Sequence, residues 1–161
     1  MTGGFTLRPA TKADADAVRD VVFSALREHG LDPDPFGTDR DLDDVLASYA
    51  GGLFDVLVDG AGRVVGSVAL AAEGDGVCEL RKMYLLAACR GRGLGRMLLS
   101  HALVRAREMG FRKVRLETAS VLETATRLYL RAGFLREDVR PRSARCDLVL
   151  ALDLGARSAP E

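Results

Sequence analysis

The stretch CRGRGLGRMLL (Cys89–Leu99) places three glycines and three arginines directly ahead of an apolar run. The preceding residues predict a strand that ends near Leu85 or Leu86, and the following residues predict a helix. Backbone N–H groups at a helix N-terminus are unpaired and favour an anion, and glycine lets a bulky phosphate approach them. The stretch therefore predicts a strand, loop and helix that together hold a phosphate group.

Two common nucleotide-binding loops do not fit this stretch. A Walker A loop needs Gly-Lys-Ser or Gly-Lys-Thr, and neither occurs in the chain. A dinucleotide fingerprint that starts at Gly91 needs its third glycine at position 96, where the chain has Arg96. An ordinary glycine-rich turn ahead of a surface helix is the remaining alternative.

The length and composition restrict the class of protein. The 161 residues predict a single domain over residues 1–154, with a flexible tail at 155–161. Lys plus Arg equals Asp plus Glu at 23 each, so no overall charge favours nucleic acid or a membrane surface as a partner. We expect a soluble, cytoplasmic protein, because the start of the chain lacks the apolar region of a signal peptide. The three cysteines show no CxxC pairing, so we expect free thiols and no metal site.

The apolar periodicity predicts alternating strands and helices without an internal repeat. The predicted strands are 5–10, 53–60, 62–70, 77–86, 111–118 and 144–154, and the predicted helices are 11–29, 40–50, 94–109 and 122–132. Short turns join the second, third and fourth strands, which predicts an antiparallel meander. The strand, helix and strand around the glycines need a crossover and therefore parallel neighbours. We expect a mixed sheet with helices on its faces.

Two motifs together resemble a known superfamily. Arg90, Gly93 and Gly95 form an R-x-x-G-x-G pattern after the strand that ends KMYLLAAC, and LYLRAGF (Leu128–Phe134) ends a later helix. In this order and spacing they resemble the GNAT superfamily of acyl-CoA-dependent N-acyltransferases. The resemblance implies an α/β (α+β) GNAT fold, with a mixed, mostly antiparallel twisted sheet of six to seven strands, about four flanking helices, and splayed fourth and fifth strands. The family often has proline where this chain has Ala87 and asparagine where it has Leu122, and the second departure affects one contact to coenzyme A.

The resemblance also implies acetyl-CoA as cosubstrate, no metal, and direct transfer of the acetyl group to an amine through a ternary complex. The implied pyrophosphate site is the backbone from Gly91 through Arg96, which comprises Gly91, Arg92, Gly93, Leu94, Gly95 and Arg96, with positive charge from Arg90, Arg92 and Arg96. The main chain of Met83, Tyr84 and Leu85 would pair with the pantetheine arm as an added strand does. Homodimers are common in the family, and the sequence leaves the acceptor amine unidentified.

Amine acylation needs a base for the ammonium proton and an acid for the departing thiolate. The resemblance implies Tyr129, the tyrosine of LYLRAGF, as the acid; the alternative is that Tyr129 is a core residue of its helix. The predicted base is Glu79. Strand alternation places Glu79 and Arg81 on one face, together with Met83 and Leu85, and places Cys78, Leu80, Tyr84 and Leu86 on the other. A charged pair in a central strand predicts a polar cleft, and the alternative is an internal ion pair of Glu79 with Arg81 or Arg115.

The remaining candidates are less specific. Arg81 and Glu117 are candidate substrate contacts, although Glu117 could instead pair with a neighbouring arginine. The acidic residues Asp32, Asp34, Asp39, Asp41, Asp43 and Asp44 either attract a cationic amine or form a solvated surface. His29 and His101 are expected to be structural or exposed, and Cys89 is expected to lie too far from the thioester for an acyl-cysteine. The alternative function is a non-catalytic acyl-CoA sensor, against which Tyr129 and the polar pair on the fourth strand argue.

Overall fold

The computed structural model describes residues 4–155, and these residues build a seven-stranded sheet with helices on both faces. The strands are β1 (Thr6–Pro9), β2 (Leu53–Val58), β3 (Val64–Gly74), β4 (Val77–Leu85), β5 (Lys113–Thr118), β6 (Leu135–Glu137) and β7 (Leu148–Asp153). The helices are α1 (Ala15–Glu28), α2 (Val45–Ser48), α3 (Leu94–Glu108) and α4 (Glu123–Arg131). Across the sheet the order is β1-β2-β3-β4-β5-β7-β6, and within residues 4–155 only β4 and β5 pair in parallel. The predicted mixed sheet is confirmed.

The two faces of the sheet carry separate apolar cores. On one face, Val18, Val22 and Leu26 recur every four residues along α1 and are buried together with residues of α2, β2 and β3. On the other face, Leu94 and Leu98 begin a similar buried stripe along α3, and Tyr129 of α4 packs in the same cluster. These stripes follow the helical period of 3.6 residues, which is why the sequence predicted α1 and α3 correctly.

Strand β4 contains a bulge at Lys82. This residue has a left-handed backbone with φ of 52°, which is uncommon for any residue other than glycine. The pairing of β4 with β3 shifts at the same place, between Ser67 and Ala69. The Ser67 hydroxyl donates a hydrogen bond of 2.6 Å to the Lys82 carbonyl oxygen inside the sheet. The bulge is therefore held by a buried polar contact.

The bulge reverses the alternation of side chains along β4. Before it, Glu79 and Arg81 lie opposite residues of the α1 core. After it, Met83 and Leu85 pack against the α3 core, and Tyr84 packs against the α1 core. The prediction that Met83 and Leu85 share a face with Glu79 and Arg81 is wrong, because strict alternation assumes an unbroken strand. Tyr84 shares that face instead.

Strands β4 and β5 separate after a short paired region. Their register joins Val77–Leu80 to Lys113–Leu116, four residues on each side, whereas β4 continues to Leu85 and β5 to Thr118. A bulge bends its strand, and the bulge at Lys82 begins where the pairing ends. The predicted splay of the fourth and fifth strands is confirmed.

Two sequence predictions need correction at the far edge of the sheet. The short edge strand β6 was not predicted as an element, because its three residues carry no clear periodicity. The last strand begins at Leu148, not at residue 144, because residues 138–147 form a loop. Apart from Gly155, the predicted flexible tail lies outside the described residues. None of the helices between residues 4 and 155 combines the length and apolar composition that a bilayer crossing requires.

Candidate active site

The gap between β4 and β5 opens into a cavity of about 580 Å³. Its walls are the end of β4, the start of α3, the end of β5 and one side of α4. Of the ten residues predicted to bind the cofactor, nine line this cavity, namely Met83, Tyr84, Leu85, Arg90, Gly91, Gly93, Leu94, Gly95 and Arg96. The tenth, Arg92, is exposed beside it. The structure therefore brings the two predicted cofactor segments to one place.

The glycine loop has the geometry of an anion cradle. Gly91 and Gly93 have left-handed backbones, with φ of 78° and 77°, and no atom lies within 4 Å of a Cβ built on either residue. Conformation and not lack of space therefore requires glycine at these positions. Gly93 caps α3, so the N–H groups of Leu94, Gly95 and Arg96 have no acceptor within the helix. These donors at the cavity wall suit the pyrophosphate of coenzyme A.

Arg90 has a partly structural role in this arrangement. Its guanidinium donates to the Glu28 carboxylate at the end of α1, and to the Leu85 carbonyl oxygen at 3.1 Å. Arg90 thus ties the loop to α1 and to the end of β4. Arg92 and Arg96 are exposed. The positive charge at the mouth of the cavity therefore comes from these two side chains.

Tyr129, the predicted acid, lies at the wall of the large cavity. Its side chain is 6% exposed, and it borders the large cavity from α4. Burial raises the pKa of Tyr129 well above its ordinary value, and the neighbouring Tyr84 and Cys146 raise it further. The hydroxyl therefore keeps its proton throughout the neutral range.

A second, smaller cavity of about 350 Å³ lies on the α1 face of the sheet. Glu79, Arg81 and Glu117 line it, so the predicted base and both predicted substrate contacts meet there. The two cavities share several wall residues across the gap between the strands, namely Leu80, Arg81, Lys82, Tyr84, Glu117, Arg145 and Cys146. The gap therefore connects a cofactor-sized space with a smaller polar space.

Glu79 is a buried carboxylate between two arginines and a second carboxylate. Arg81 Nε lies 2.7 Å from Glu79 Oε1, and Arg142 Nη2 lies 2.7 Å from Glu79 Oε2. Burial raises the pKa of Glu79, and the neighbouring Glu73 carboxylate raises it further. The predicted ion pair with Arg81 is present, whereas Arg115 contacts Glu137. The ion pair and the role of a base are compatible, because a raised pKa brings a carboxylate closer to neutral pH.

Glu117 holds the loop that crosses the small cavity. Its carboxylate accepts hydrogen bonds from the backbone N–H groups of Arg142, at 3.0 Å, and Ser143, at 2.9 Å. It also lies 3.5 Å from Arg142 Nε, which agrees with the predicted pairing to an arginine. Glu117 therefore fixes residues 138–147 over the end of β5.

A buried charged network closes the opposite side of the small cavity. Asp39 has a fully buried side chain and accepts two hydrogen bonds of 2.7 Å from Arg145 and one of 2.9 Å from Lys82. Burial by itself would raise the pKa of Asp39, but Arg145 and Lys82 bring it down to about 2. The acidic segment predicted from the sequence is therefore divided: Asp39 is neutralised inside the protein, Asp41 lines the small cavity, and Asp43 pairs with Arg19.

The sequence did not indicate four residues of this site, namely Lys82, Arg142, Arg145 and Cys146. The left-handed lysine has no sequence signature, and the other three belong to a loop without periodicity. Cys146 lines both cavities, whereas Cys89 is buried and lines neither. His101 is structural, as expected, because its Nε2 lies 2.6 Å from Asp55 on β2.

Comparisons with known proteins agree with this geometry. The pattern of the acetyltransferase (GNAT) family matches residues 20–134. The uncharacterized N-acetyltransferase YjgM of Escherichia coli K12 is 38% identical over 135 residues, which cover 80% of each chain. An acetyltransferase of the GNAT family from Staphylococcus aureus Mu50 has the same fold, with a TM-score of 0.88 at 18% identity over 94% of this chain and 99% of its own. The protein yncA of Salmonella typhimurium, solved with its cofactor acetyl-CoA, gives a TM-score of 0.75 at 25% identity over 99% of both chains.

The splayed sheet and the glycine cradle at the start of α3 fit the class of enzymes that move an acyl group from a coenzyme A thioester. The chain belongs to the acetyltransferase (GNAT) family, and it is an acetyl-CoA-dependent N-acetyltransferase.

Proposed function

We propose that the enzyme transfers the acetyl group directly from acetyl-CoA to a small amine while both substrates are bound. The observation that supports this proposal is the pair of cavities that meet at the gap between β4 and β5. A thioester in the larger cavity and an amine in the smaller one would face each other across shared wall residues. No covalent enzyme intermediate is then needed, since the amine can attack the thioester carbonyl itself.

The predicted cofactor segments, Glu79 and Tyr129 each have a role in this proposed mechanism. The amides from Gly91 to Arg96 hold the pyrophosphate, and the main chain of Met83, Tyr84 and Leu85 pairs with the pantetheine arm. Backbone donors near Leu85 stabilise the tetrahedral oxyanion. Glu79 accepts the proton of the amine, directly or through water, and Tyr129 protonates the departing thiolate.

Initial rates distinguish direct transfer in a ternary complex from transfer through a covalent acetyl-enzyme intermediate. Thiol release from acetyl-CoA is measured with a panel of small primary amines, and both substrate concentrations are then varied for the most active amine. We expect intersecting lines in a double-reciprocal plot, which indicate a ternary complex. Parallel lines, or an acetylated protein detected by intact-mass spectrometry after incubation with acetyl-CoA alone, would contradict direct transfer. No thiol release with any amine would contradict the choice of acceptor class.

A further inference from the structure

The Arg142 guanidinium, in the wall of the small cavity, is surrounded by three carboxylates, of which Glu79 and Glu117 also line that cavity. Arg142 Nη2 lies 2.7 Å from Glu73 Oε1 and 2.7 Å from Glu79 Oε2, and Arg142 Nε lies 3.5 Å from Glu117 Oε2. The carboxylates come from three neighbouring strands, β3, β4 and β5. The sheet therefore fixes their positions independently of the arginine.

The four side chains differ strongly in exposure. The carboxylates are 22%, 9% and 8% exposed for Glu73, Glu79 and Glu117, whereas the Arg142 side chain is 60% exposed. Glu117 holds the backbone of Arg142 in place through its N–H group. The side chain can nevertheless rotate into solvent without any movement of the loop, because most of its surface already faces water.

The local charge requires a cation at this position. Arg81 also contacts Glu79 and lies 3.7 Å from Glu73, so without Arg142 the buried Glu79 carboxylate and the adjacent Glu73 carboxylate would share a single guanidinium. Two like charges so close together are costly in a partly buried site. An ammonium group can satisfy both carboxylates as Arg142 does, because it also carries a full positive charge and several N–H donors.

We propose that the Arg142 side chain occupies the ammonium subsite of the acceptor, formed by Glu73 and Glu79, and that a small protonated amine displaces it. This inference rests on the proposed function for the role of the small cavity as acceptor site. It makes the acceptor an aliphatic amine that is protonated in solution, enters as a cation and loses its proton to Glu79 only inside the cavity. The cavity of about 350 Å³ has the size of a small-molecule site.

Arg142 thus competes with the acceptor from within the chain. Its departure frees Glu79 Oε2, the atom that would otherwise stay engaged when the amine arrives. Amines that are neutral in solution, such as aromatic amines, gain nothing from the two carboxylates and cannot displace the guanidinium. The subsite therefore selects for charge as well as for size.

The test uses ethylammonium as a probe and needs neither acetyl-CoA nor turnover. Melting temperatures of the wild type and Arg142→Ala are measured in ethylammonium chloride, against sodium chloride at equal ionic strength. We expect saturable stabilisation of Arg142→Ala at a concentration about fivefold below that of the wild type, as loss of one partly exposed ion pair allows. Adding Glu73→Gln to Arg142→Ala should abolish the stabilisation by low concentrations of ethylammonium.

Arg140→Ala is the matched control, because Arg140 lies in the same loop, is exposed and forms no ion pair with residues 4–155. It should respond to ethylammonium as the wild type does.

Equal half-saturation in the wild type and Arg142→Ala, or no specific stabilisation of Arg142→Ala, would overturn the proposal. If Arg142→Ala does not fold, Arg142→Lys replaces it. Its shorter, single-point charge should then compete less well and lower the half-saturating concentration, and an unchanged value would overturn the proposal. A missing thiol release in the kinetic screen, by contrast, would contradict the proposed function and the acceptor role of this site, whereas the melting experiment tests separately whether ammonium replaces Arg142 there.

Discussion

Lys82 Nζ lies 2.9 Å from Asp39 Oδ1, although 43 residues separate the two in the sequence. Lys82 is the left-handed residue of the β4 bulge, and Asp39 belongs to the segment before α2. Arg145 binds the same carboxylate from the loop before β7. One buried carboxylate therefore connects three segments of the active site, and it fixes the strand at the point where β4 leaves β5.

Asp39→Asn should destabilise the protein by about 3–5 kcal/mol, because the buried Arg145 loses its counter-charge and Lys82 keeps only Asp41, 3.3 Å away. Urea denaturation measures this difference. Asp43→Asn is the matched control: Asp43 pairs with Arg19 on the surface and is 62% exposed, so less than about 1 kcal/mol should be lost. Equal losses in the two variants would show that the Asp39 network stabilises the protein no more than a surface ion pair does.

The same network makes a prediction about acid stability. The pKa of Asp39 is about 2 in the folded protein, below its ordinary value of 3.8. A lowered pKa stabilises the fold above the unfolded value, and this contribution is lost as the pH falls from about 4 to about 2. Asp14 and Glu73 titrate in the same window, so the wild type is compared with Asp39→Asn. Their difference in unfolding free energy should shrink by about 2 kcal/mol over that range.

Tyr129→Phe should lower kcat by about 100-fold, the smaller end of the effect of a general acid. The phenyl ring fills the same buried space, so the affinity for acetyl-CoA measured by calorimetry should stay within about twofold. An unchanged kcat would remove Tyr129 from the mechanism. A large loss of acetyl-CoA affinity would instead show that the hydroxyl binds the cofactor.

Gly93→Val should weaken binding of coenzyme A at least about tenfold, because a β-branched residue disfavours the left-handed backbone that orients the phosphate donors. Gly62→Val is the matched control. Gly62 has φ of 83°, no atom lies within 4 Å of its added Cβ, and it belongs to the β2–β3 turn away from the cavity. Both variants should lose similar stability, and calorimetry should show weaker coenzyme binding only for Gly93→Val. Normal affinity in that variant would contradict the assignment of the loop.

If Glu79 is the base, Glu79→Gln should lower kcat/KM by about 100-fold or more. In the wild type, kcat/KM should fall as the pH drops through a pKa above the ordinary carboxyl value of 4.5, since only the ionised form accepts a proton. Glu73→Gln removes a neighbouring negative charge and should therefore lower the pKa of Glu79. The fall of kcat/KM on the acid side of the pH profile, the acid limb, should then move to lower pH. An acid limb that stays in place in Glu73→Gln would mean that another group titrates.

Cys146 should react with iodoacetamide more slowly when coenzyme A is bound, because it lines both cavities. Burial raises the pKa of the Cys146 thiol, so labelling should accelerate as the pH rises beyond the ordinary thiol value of 9.0. Peptide mass spectrometry distinguishes Cys146 from the buried Cys78 and Cys89. Labelling of Cys146 that coenzyme A leaves unchanged would place the cofactor elsewhere.

The sequence by itself determined the features that depend only on residues close to one another along the chain. Buried residues repeat along α1 and α3 with the helical period, and the glycines at 91 and 93 adopt the left-handed backbone that their position before a helix requires. Two local motifs in order were enough to indicate the superfamily, its cofactor and Tyr129. The placement of Glu79 in a polar space followed from a charged pair on a central strand.

Only the tertiary structure decided what surrounds these residues. The bulge at Lys82 reverses the faces of β4, and no local pattern predicts a left-handed lysine whose stabilising partner lies 43 residues away. Arg142 reaches Glu79 across 63 residues, and Arg145 reaches Asp39 across 106. Helical and strand periods arise from the backbone and can be read along the chain. Ion pairs between distant segments form only after folding brings those segments together, and in this enzyme they shape the small cavity beside β4 and β5.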